Sequence, residues 1–229
     1  MPQSAPPPDS IIAANEYGRY CIPRSSAHRP SAVLVREGYV WEKDTIAFMR
    51  GHSGSGDVVH AGTFFGDFLP ALASALAPGA LLWAFEPNPE NFACSAQTVA
   101  LNDLTNVRLQ FGGLTRRPGT LRLEIIEDRI SLGGGSRVAR PGAAPRDIVK
   151  VPALTLDEAV QGRSISIIQL DVEGHEEGAL AGALETIARS RPIILVETEP
   201  RPQWFDAHLK PLGYRIDGEI DANLVYRCG

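Results

Sequence analysis

Val58-Val59-His60-Ala61-Gly62-Thr63-Phe64-Phe65-Gly66-Asp67-Phe68 is the stretch that decides the fold. Two β-branched residues begin a short strand, which runs into a turn with glycines four apart. An Ala/Ser-rich helix is expected from about Gly66 to Ala77, ended by Pro78-Gly79. A glycine in such a turn lets backbone approach a ligand closely, and the amides at the helix start favour a carboxylate or phosphate. A dinucleotide fingerprint needs G-x-G-x-x-G. With Gly62 as its middle glycine, the outer places hold His60 and Phe65, so the spacing disfavours NAD.

Outward from this unit the chain alternates strand and helix patterns. Leu81 to Phe85 reads as a second strand, Pro89 to Leu101 as a helix with proline in its first turn, and Val107 to Phe111 as a third strand. Leu121, Leu123 and Ile125 alternate with Arg122 and Glu124, so one face is expected to be buried and the other wet; Ile148 to Val151 is expected to pair with that strand. Between them, Gly133-Gly134-Gly135 and Pro141 to Pro145 mark a long mobile loop, either a lid or a passive insertion. Thr155 with Glu158 three residues on has capping-box spacing. Further strands are expected at Ile165–Leu170 and Ile193–Val196, a helix from about Gly174 with Leu180, Leu184 and Ile187 on one stripe, and a helix near Trp204 to Leu209. The segment Tyr214-Arg215-Ile216, a turn at Asp217-Gly218 and the strand Leu224 to Tyr226 complete a hairpin. The fold class is therefore α/β: a Rossmann-like, mainly parallel sheet with one antiparallel strand at or near an edge. Residues 1–56 read as an N-terminal arm, proline-rich from Met1 to Ser10, plus a helical extension carrying Trp41, Phe48 and Met49. Residues 57–229 read as the Rossmann-like domain.

Composition excludes several classes. With 229 residues, 44% of them hydrophobic, the chain can build a core and is not intrinsically disordered. A net charge of −5 without a basic block argues against nucleic-acid or anionic-lipid partners. The charge-free run Phe68 to Phe85 is cut by Pro78-Gly79 and reads as helix, turn and strand rather than a membrane span, and the N-terminus lacks a signal-peptide pattern. Cys21, Cys94 and Cys228 show no C-x-x-C pair, which fits a reducing, cytoplasmic setting.

Two strand ends carry candidate chemistry. Glu86 ends the second strand, where a carboxylate can accept both hydroxyls of an adenosine ribose. Leu170-Asp171-Val172-Glu173-Gly174-His175-Glu176 follows the strand from Ile165, and Glu197 and Glu199 end the next one. In an extended segment Asp171, Glu173 and His175 share a face, although Gly174 can interrupt it. Carboxylates on neighbouring strand ends repel unless a cation or donor sits between them: a sulfonium, a divalent metal or a protonated histidine. Glu176 and Glu177 read as first-turn acids favoured by the helix dipole.

Together these elements resemble the FkbM family of S-adenosylmethionine-dependent methyltransferases. The resemblance rests on Val58 through Phe68, Phe85-Glu86-Pro87-Asn88-Pro89 with Phe92, Val151-Pro152 through Leu156-Asp157-Glu158, and Leu170 through Glu176 with Leu180 and Gly182-Ala183. It implies a seven-stranded class I methyltransferase fold and methylation of a hydroxyl on a sugar, polyketide or related natural product, with a small-molecule or glycan acceptor. By the resemblance, Ala61-Gly62-Thr63-Phe64 wraps the methionine part of S-adenosylmethionine, with His60 and Gly66 as flanking cofactor-binding positions. Glu86 holds the ribose, Pro87 and Asn88 lie beside the adenine, Gly112-Gly113-Leu114 forms the adenine edge, and Asp171 lies next to the donor methyl. Two positions depart from the family pattern. The first strand usually ends D-V-G-A-N, where this chain has His60-Ala61-Gly62-Thr63-Phe64; the later strand end often reads K-x-D-V-E-G, where Gln169 replaces the Lys.

Hydroxyl methylation requires an oriented acceptor and removal of its proton. The catalytic candidates are Asp171 beside the sulfonium and His175 or Glu173 as general base. No metal is expected; a divalent ion held by Asp171, Glu173 and Glu197 is the less favoured mechanism. The rivals are a catalytically silent S-adenosylmethionine-binding protein, motivated by His60 and Phe64, and a nucleotide-dependent oxidoreductase, opposed by the glycine spacing.

Overall fold

The computed structural model describes residues 9–229. The proline-rich arm thus lies outside the described residues except for its end. After the arm comes an antiparallel hairpin that its sequence did not announce, β1 (Ser10–Asn15) and β2 (Gly18–Pro23). Two helices come next, α1 (Pro30–Arg36) and α2 (Lys43–His52). The latter buries Ile46 and Met49 as its apolar spacing requires.

The central sheet begins with β3 (Asp57–Ala61), then α3 (Leu69–Ala73), β4 (Leu82–Glu86), α4 (Pro89–Leu101) and β5 (Val107–Phe111). The helix after β3 is much shorter than expected. Phe64 and Gly66 both take positive φ, 51° and 85°, so the chain is still turning where helix was expected to start. Helical geometry begins only at Leu69, with Pro70 in the first turn. The charge-free run is split between α3 and β4, and no helix among the described residues is long and apolar enough to cross a membrane.

The middle of the chain builds a small second sheet. It contains β6 (Gly113–Leu114) and β7 (Gly119–Glu124), followed outside it by a two-residue pairing of β8 (Ile126–Glu127) with β9 (Ile130–Ser131). The sheet is completed by β10 (Arg137–Val138) and β11 (Ile148–Leu154), in the order β10-β7-β11-β6. The expected pairing of the two long strands is present, with Lys150 opposite Arg122. Two expectations fail here. The glycine-rich segment is not one irregular loop, because it holds a 3₁₀ turn at Gly133–Gly135 and the strand β10. Glu124 is buried rather than wet, because Arg137 and Arg140 from that segment close over its carboxylate.

Thr155 caps α5 (Leu156–Ala159), its hydroxyl accepting from the Glu158 amide at 3.4 Å. Then come β12 (Ile165–Leu170), α6 (Glu176–Ala181), α7 (Leu184–Ser190) and β13 (Ile193–Val196). The single helix expected from Gly174 is two, broken at Gly182. A Cβ there would lie 2.1 Å from the Thr115 carbonyl oxygen, so only glycine lets the two segments meet. The chain ends with α8 (Pro202–His208), β14 (Tyr214–Ile220) and β15 (Asn223–Cys228). The turn of this hairpin is at Asp221-Ala222. Asp217-Gly218, expected as the turn, is instead a bulge inside β14, where the register shifts between Ile216 and Gly218.

The seven-stranded sheet has the order β14-β15-β13-β12-β3-β4-β5. The five strands from β13 to β5 are parallel, and β15 lies antiparallel between β13 and β14. Side chains alternate across it. Val59, Phe85, Ile168, Ile194 and Val196 enter one core layer, while Val58, Leu82, Ala84, Ile167 and Leu195 enter the other. From β3 the order runs outward through β4 and β5 on one side and through β12 and β13 on the other. The crevice between β3 and β12 is therefore the topological switch point, where such sheets bind ligands at their carboxyl ends.

Candidate active site

The site is built where β3 and β12 end side by side. Gly62 takes φ +89°, and a Cβ on it would fall 1.7 Å from the Asp171 carbonyl oxygen. The close approach that this glycine permits is thus between two parts of the chain itself. It draws Asp171 to the lip of the turn, where the Asp171 amide donates to the Ala61 carbonyl at 3.0 Å.

One residue before Ala61, His60 faces Gln169 across the parallel pair. The imidazole Nδ1 lies 2.5 Å from the Gln169 carbonyl oxygen, and its ring stacks on Phe68 with centroids 4.8 Å apart. Gln169 Nε2 donates to Asn223 Oδ1 at 3.4 Å, and Asn223 Nδ2 donates to Glu42 Oε2 at 3.0 Å. This direction of donation leaves Gln169 Oε1 as acceptor, so His60 Nδ1 carries the proton and Nε2 presents a lone pair. Burial lowers the His60 pKa to about 4, with the Gln169 contact opposing it. His60 Nε2 is buried and has no partner.

Glu86 is the organising carboxylate of the β4 end. Oε2 accepts from the Phe64 amide at 2.7 Å, and Oε1 accepts from the Asn88 amide at 2.8 Å and from Asn91 Nδ2 at 3.4 Å. Burial pushes its pKa up to about 8 despite these donors. The departure at Phe64 is accommodated through backbone: its amide serves Glu86 and its carbonyl accepts from Ser95 Oγ at 2.7 Å. Asn88 and Asn91 also tie down the glycine-rich segment. Asn88 Nδ2 donates to Ser136 Oγ and Asn91 Nδ2 to the Gly133 carbonyl, both at 2.9 Å.

Two lobes open from this frame and meet at Gly62, Gly134 and Asp171. The first is a narrow slot beside the β4 end. Glu86 and Pro87 form one side, with Gly112, Gly113 and Leu114 at the adjoining strand end. Leu121, Leu123 and Val138 of the small sheet supply apolar walls. A Cβ on Gly113 would come within 2.9 Å of Leu121, so the lobe's back depends on bare backbone. The slot is mostly apolar, with the buried Glu86 carboxylate on one side and Asp171 where it meets the second lobe, the kind of lining that suits an adenosine group. The second, roomier lobe takes His60, Asp67, Glu173 and Glu197 together with Arg29, Trp41 and Glu42 from the N-terminal segment.

Asp171 and Glu173 lie together, while His175 parts from them, as an interruption at Gly174 allows. Glu173 and Gly174 have φ of 54° and 85°, which turns the chain after Val172. Asp171 and Glu173 join Glu197, with carboxylate oxygens within 4.8 Å of one another. This set can hold one small cation. Burial and the neighbouring Glu197 raise the Asp171 pKa well above the usual range; the same two causes raise Glu173, which Arg29 partly offsets. His175 goes to the first lobe, its ring packed against Gly178 and its pKa lowered by burial. Glu176 turns back so that Oε1 accepts from the Val172 and Gly174 amides, and Glu177 pairs with Arg201. Arg29, Glu42, Asp67 and Ser136 line the lobes without having stood out in the sequence. Asp67 alone carried a signal, a lone acid in an apolar stretch after Gly66. Burial raises its pKa to about 7.

A sequence profile of the methyltransferase FkbM domain matches residues 60–228. No curated protein matches the chain. Among solved structures, the methyltransferase FkbM from Methylobacillus flagellatus KT is 17% identical with a TM-score of 0.50, over 76% of this chain and 43% of that one. M. jannaschii TYW2, crystallised with AdoMet, is 14% identical with a TM-score of 0.53, over 97% of this chain and 85% of that one. Pyrococcus abyssi tRNA (uracil-54, C5)-methyltransferase, in complex with S-adenosyl-L-homocysteine, is 11% identical with a TM-score of 0.50, over 95% of this chain and 43% of that one. The chain therefore spans less than half the length of the first and third of these proteins. At such identities the likeness carries the fold, the Rossmann-like architecture of class I methyltransferases. With the profile covering most of its residues and that architecture around the β3–β12 crevice, the chain belongs to the FkbM family of methyltransferases.

Proposed function

We propose that this chain is an S-adenosylmethionine-dependent O-methyltransferase acting on a hydroxyl of a small-molecule or glycan acceptor, such as a sugar or polyketide. The observation that carries this reading is the meeting of a mostly apolar lobe, walled by Glu86 at the β4 end, and a polar lobe at Gly62 and Asp171. When bound, S-adenosylmethionine supplies an electrophilic methyl on a sulfonium. Glu86 accepts from the Phe64 and Asn88 amides and from Asn91 Nδ2, which leaves an acceptor site on Oε2, and this would take a ribose hydroxyl. Pro87, Gly113, Leu121 and Leu123 would hold the adenine by apolar contact. Asp171, at the junction, would face the positive sulfur. Glu173, in the polar lobe next to Asp171, would take the acceptor's proton; His175 lies on the adenosine side, which suits it less to that task. Family membership and the acidic character of the polar lobe support a small acceptor over nucleic acid, since clustered carboxylates repel a phosphate backbone. The free cysteines and net charge support the cytoplasmic setting.

Calorimetry with S-adenosylhomocysteine tests the cofactor half of this reading, and labelled methyl transfer to hydroxylated acceptors tests the rest. Binding without transfer across a broad panel would instead favour the silent binding protein. A thermal shift with NAD or NADP would favour an oxidoreductase.

A further inference from the structure

The polar lobe has an unusual charge inventory. Glu42, Asp67, Asp171, Glu173 and Glu197 line it, and among the described residues that do so Arg29 is the only cation. Three of the five come from the ends of β12 and β13, Glu42 comes from the start of α2, and Asp67 from the turn after β3. Carboxyl groups gathered this way raise one another's proton affinity, and burial and mutual repulsion raise the pKa of Glu42, Asp67, Asp171 and Glu173. The arrangement costs stability unless a positive charge completes it.

A second, independent feature belongs to the wall of the same lobe, which His60 lines. His60 is 2% exposed, and its Nε2 has no hydrogen-bond partner. The chain Glu42–Asn223–Gln169–His60 fixes its tautomer, so Nε2 offers a lone pair and requires a donor. The carboxylate group that lies within 4.8 Å comprises Asp171, Glu173 and Glu197 without His60. One spherical ion at those carboxylates therefore leaves His60 unanswered. A molecular cation bearing several N–H donors would answer both, with a small shift of the wall to open Nε2 to it.

We infer that the polar lobe binds an acceptor carrying a protonated amine or guanidinium, with the cationic group among Glu42, Glu173 and Glu197 and an N–H donated to His60 Nε2. This rests on the methyltransferase reading and narrows its acceptor class. The positive group anchors the molecule, and a neutral competitor would leave the same carboxylates without a counter-charge. The nucleophile then lies toward Asp171, where the two lobes meet.

The test uses the full-length protein saturated with S-adenosylhomocysteine, after calorimetry has shown that this ligand binds. Failure at that first step counts against the methyltransferase reading itself. D-glucosamine and tyramine, each carrying both an amine and a hydroxyl, are then titrated alongside their neutral N-acetylated counterparts, and the same four compounds are offered as acceptors with labelled S-adenosylmethionine. The expected result is at least a tenfold preference for the amine-bearing member of each pair in binding and transfer. Glu42→Gln and Glu197→Gln should each reduce that preference below threefold, with circular dichroism confirming the fold. Equal or tighter binding of the acetylated compounds overturns the inference. So does a preference that survives both substitutions, or an absence of binding by all four compounds. Tight Mg2+ binding that restores EDTA-stripped activity, with no amine preference, would replace it by a metal site.

Discussion

His60 Nδ1 sits 2.5 Å from Gln169 Oε1, directly opposite it in the β3–β12 register. These are the two positions where the family pattern carries Asp and Lys. The departures that looked independent along the chain therefore face each other across two strands, joined by a neutral hydrogen bond. A neutral pair avoids the desolvation of two buried charges and keeps the strand ends in register.

This predicts strong coupling between the two positions. His60→Asp alone, or Gln169→Lys alone, would bury an unpaired charge and cost about 3–5 kcal/mol of stability. The double substitution should recover at least half of the summed loss. Urea unfolding of the four proteins measures the cycle. Simple additivity would show that the two side chains do not act as a pair.

Glu86→Ala should weaken S-adenosylhomocysteine by about 1.5–3 kcal/mol, the scale of charged hydrogen bonds, or roughly tenfold to a hundredfold. Part of the effect will be indirect, because the Phe64 and Asn88 amides lose their acceptor. Glu86→Gln keeps one acceptor oxygen and should lose less. Calorimetry on folded variants decides; unchanged affinity in both would remove Glu86 from the cofactor site.

The division of Glu173 and His175 between two lobes predicts unequal effects on methyl transfer. Glu173→Gln should lower the rate by roughly 10²–10⁴, the range for loss of a general base. His175→Ala should cost less than about fivefold, because the ring packs on Gly178 away from the acidic cluster. Asp171→Asn should reduce transfer while preserving the fold. The reverse ranking of Glu173 and His175 would move proton removal to the adenosine side.

The ligand-free protein should lose stability as pH rises from about 5 toward about 8. Unfolded carboxyls titrate near about 4. Glu86 and Asp67 are raised to about 8 and about 7, so the folded state holds protons that the unfolded state has released. Stability from a raised acid is complete below the unfolded pKa and is lost as pH climbs through the folded one. Thermal unfolding from about pH 5 to about pH 9 should show a falling Tm that levels off above about pH 8. Glu86→Gln should flatten the slope, and a level profile in the wild type would contradict the protonated state of these two groups.

The fold was legible where information is local. Ile193–Val196 is an apolar run and Ile165–Leu170 an isoleucine-rich one, both patterns of buried strands, and Thr155 with Glu158 marks its helix start. What failed depends on distant partners. Nothing near Gly182 announces the Thr115 carbonyl that breaks the helix, and nothing near Glu124 announces Arg137 and Arg140. At the C-terminus, Asp217-Gly218 has the composition of a turn, yet β15 pairs beyond it and makes it a bulge. In the site, Glu86 and Asp171 stand out as acids at the ends of apolar strands. Glu42 is fixed by Asn223 from the last strand and Arg29 by proximity to Gly135, and neither contact leaves a trace in local sequence.

The family match begins at residue 60, yet Arg29, Trp41 and Glu42 reach over the polar lobe from before that point. Their segment is held by the hairpin of residues 10–23, whose Cys21 amide donates to Thr98 Oγ1 of α4 at 3.0 Å and whose Arg19 exchanges two hydrogen bonds with Asn102. The adenosine lobe draws no wall from this segment. The walls that residues 10–56 contribute are therefore confined to the polar lobe. A chimera that exchanges residues 10–56 between two family members, with Thr98, Asn102, Asp221 and Asn223 retained as docking points, should shift acceptor choice while leaving the donor chemistry with the recipient.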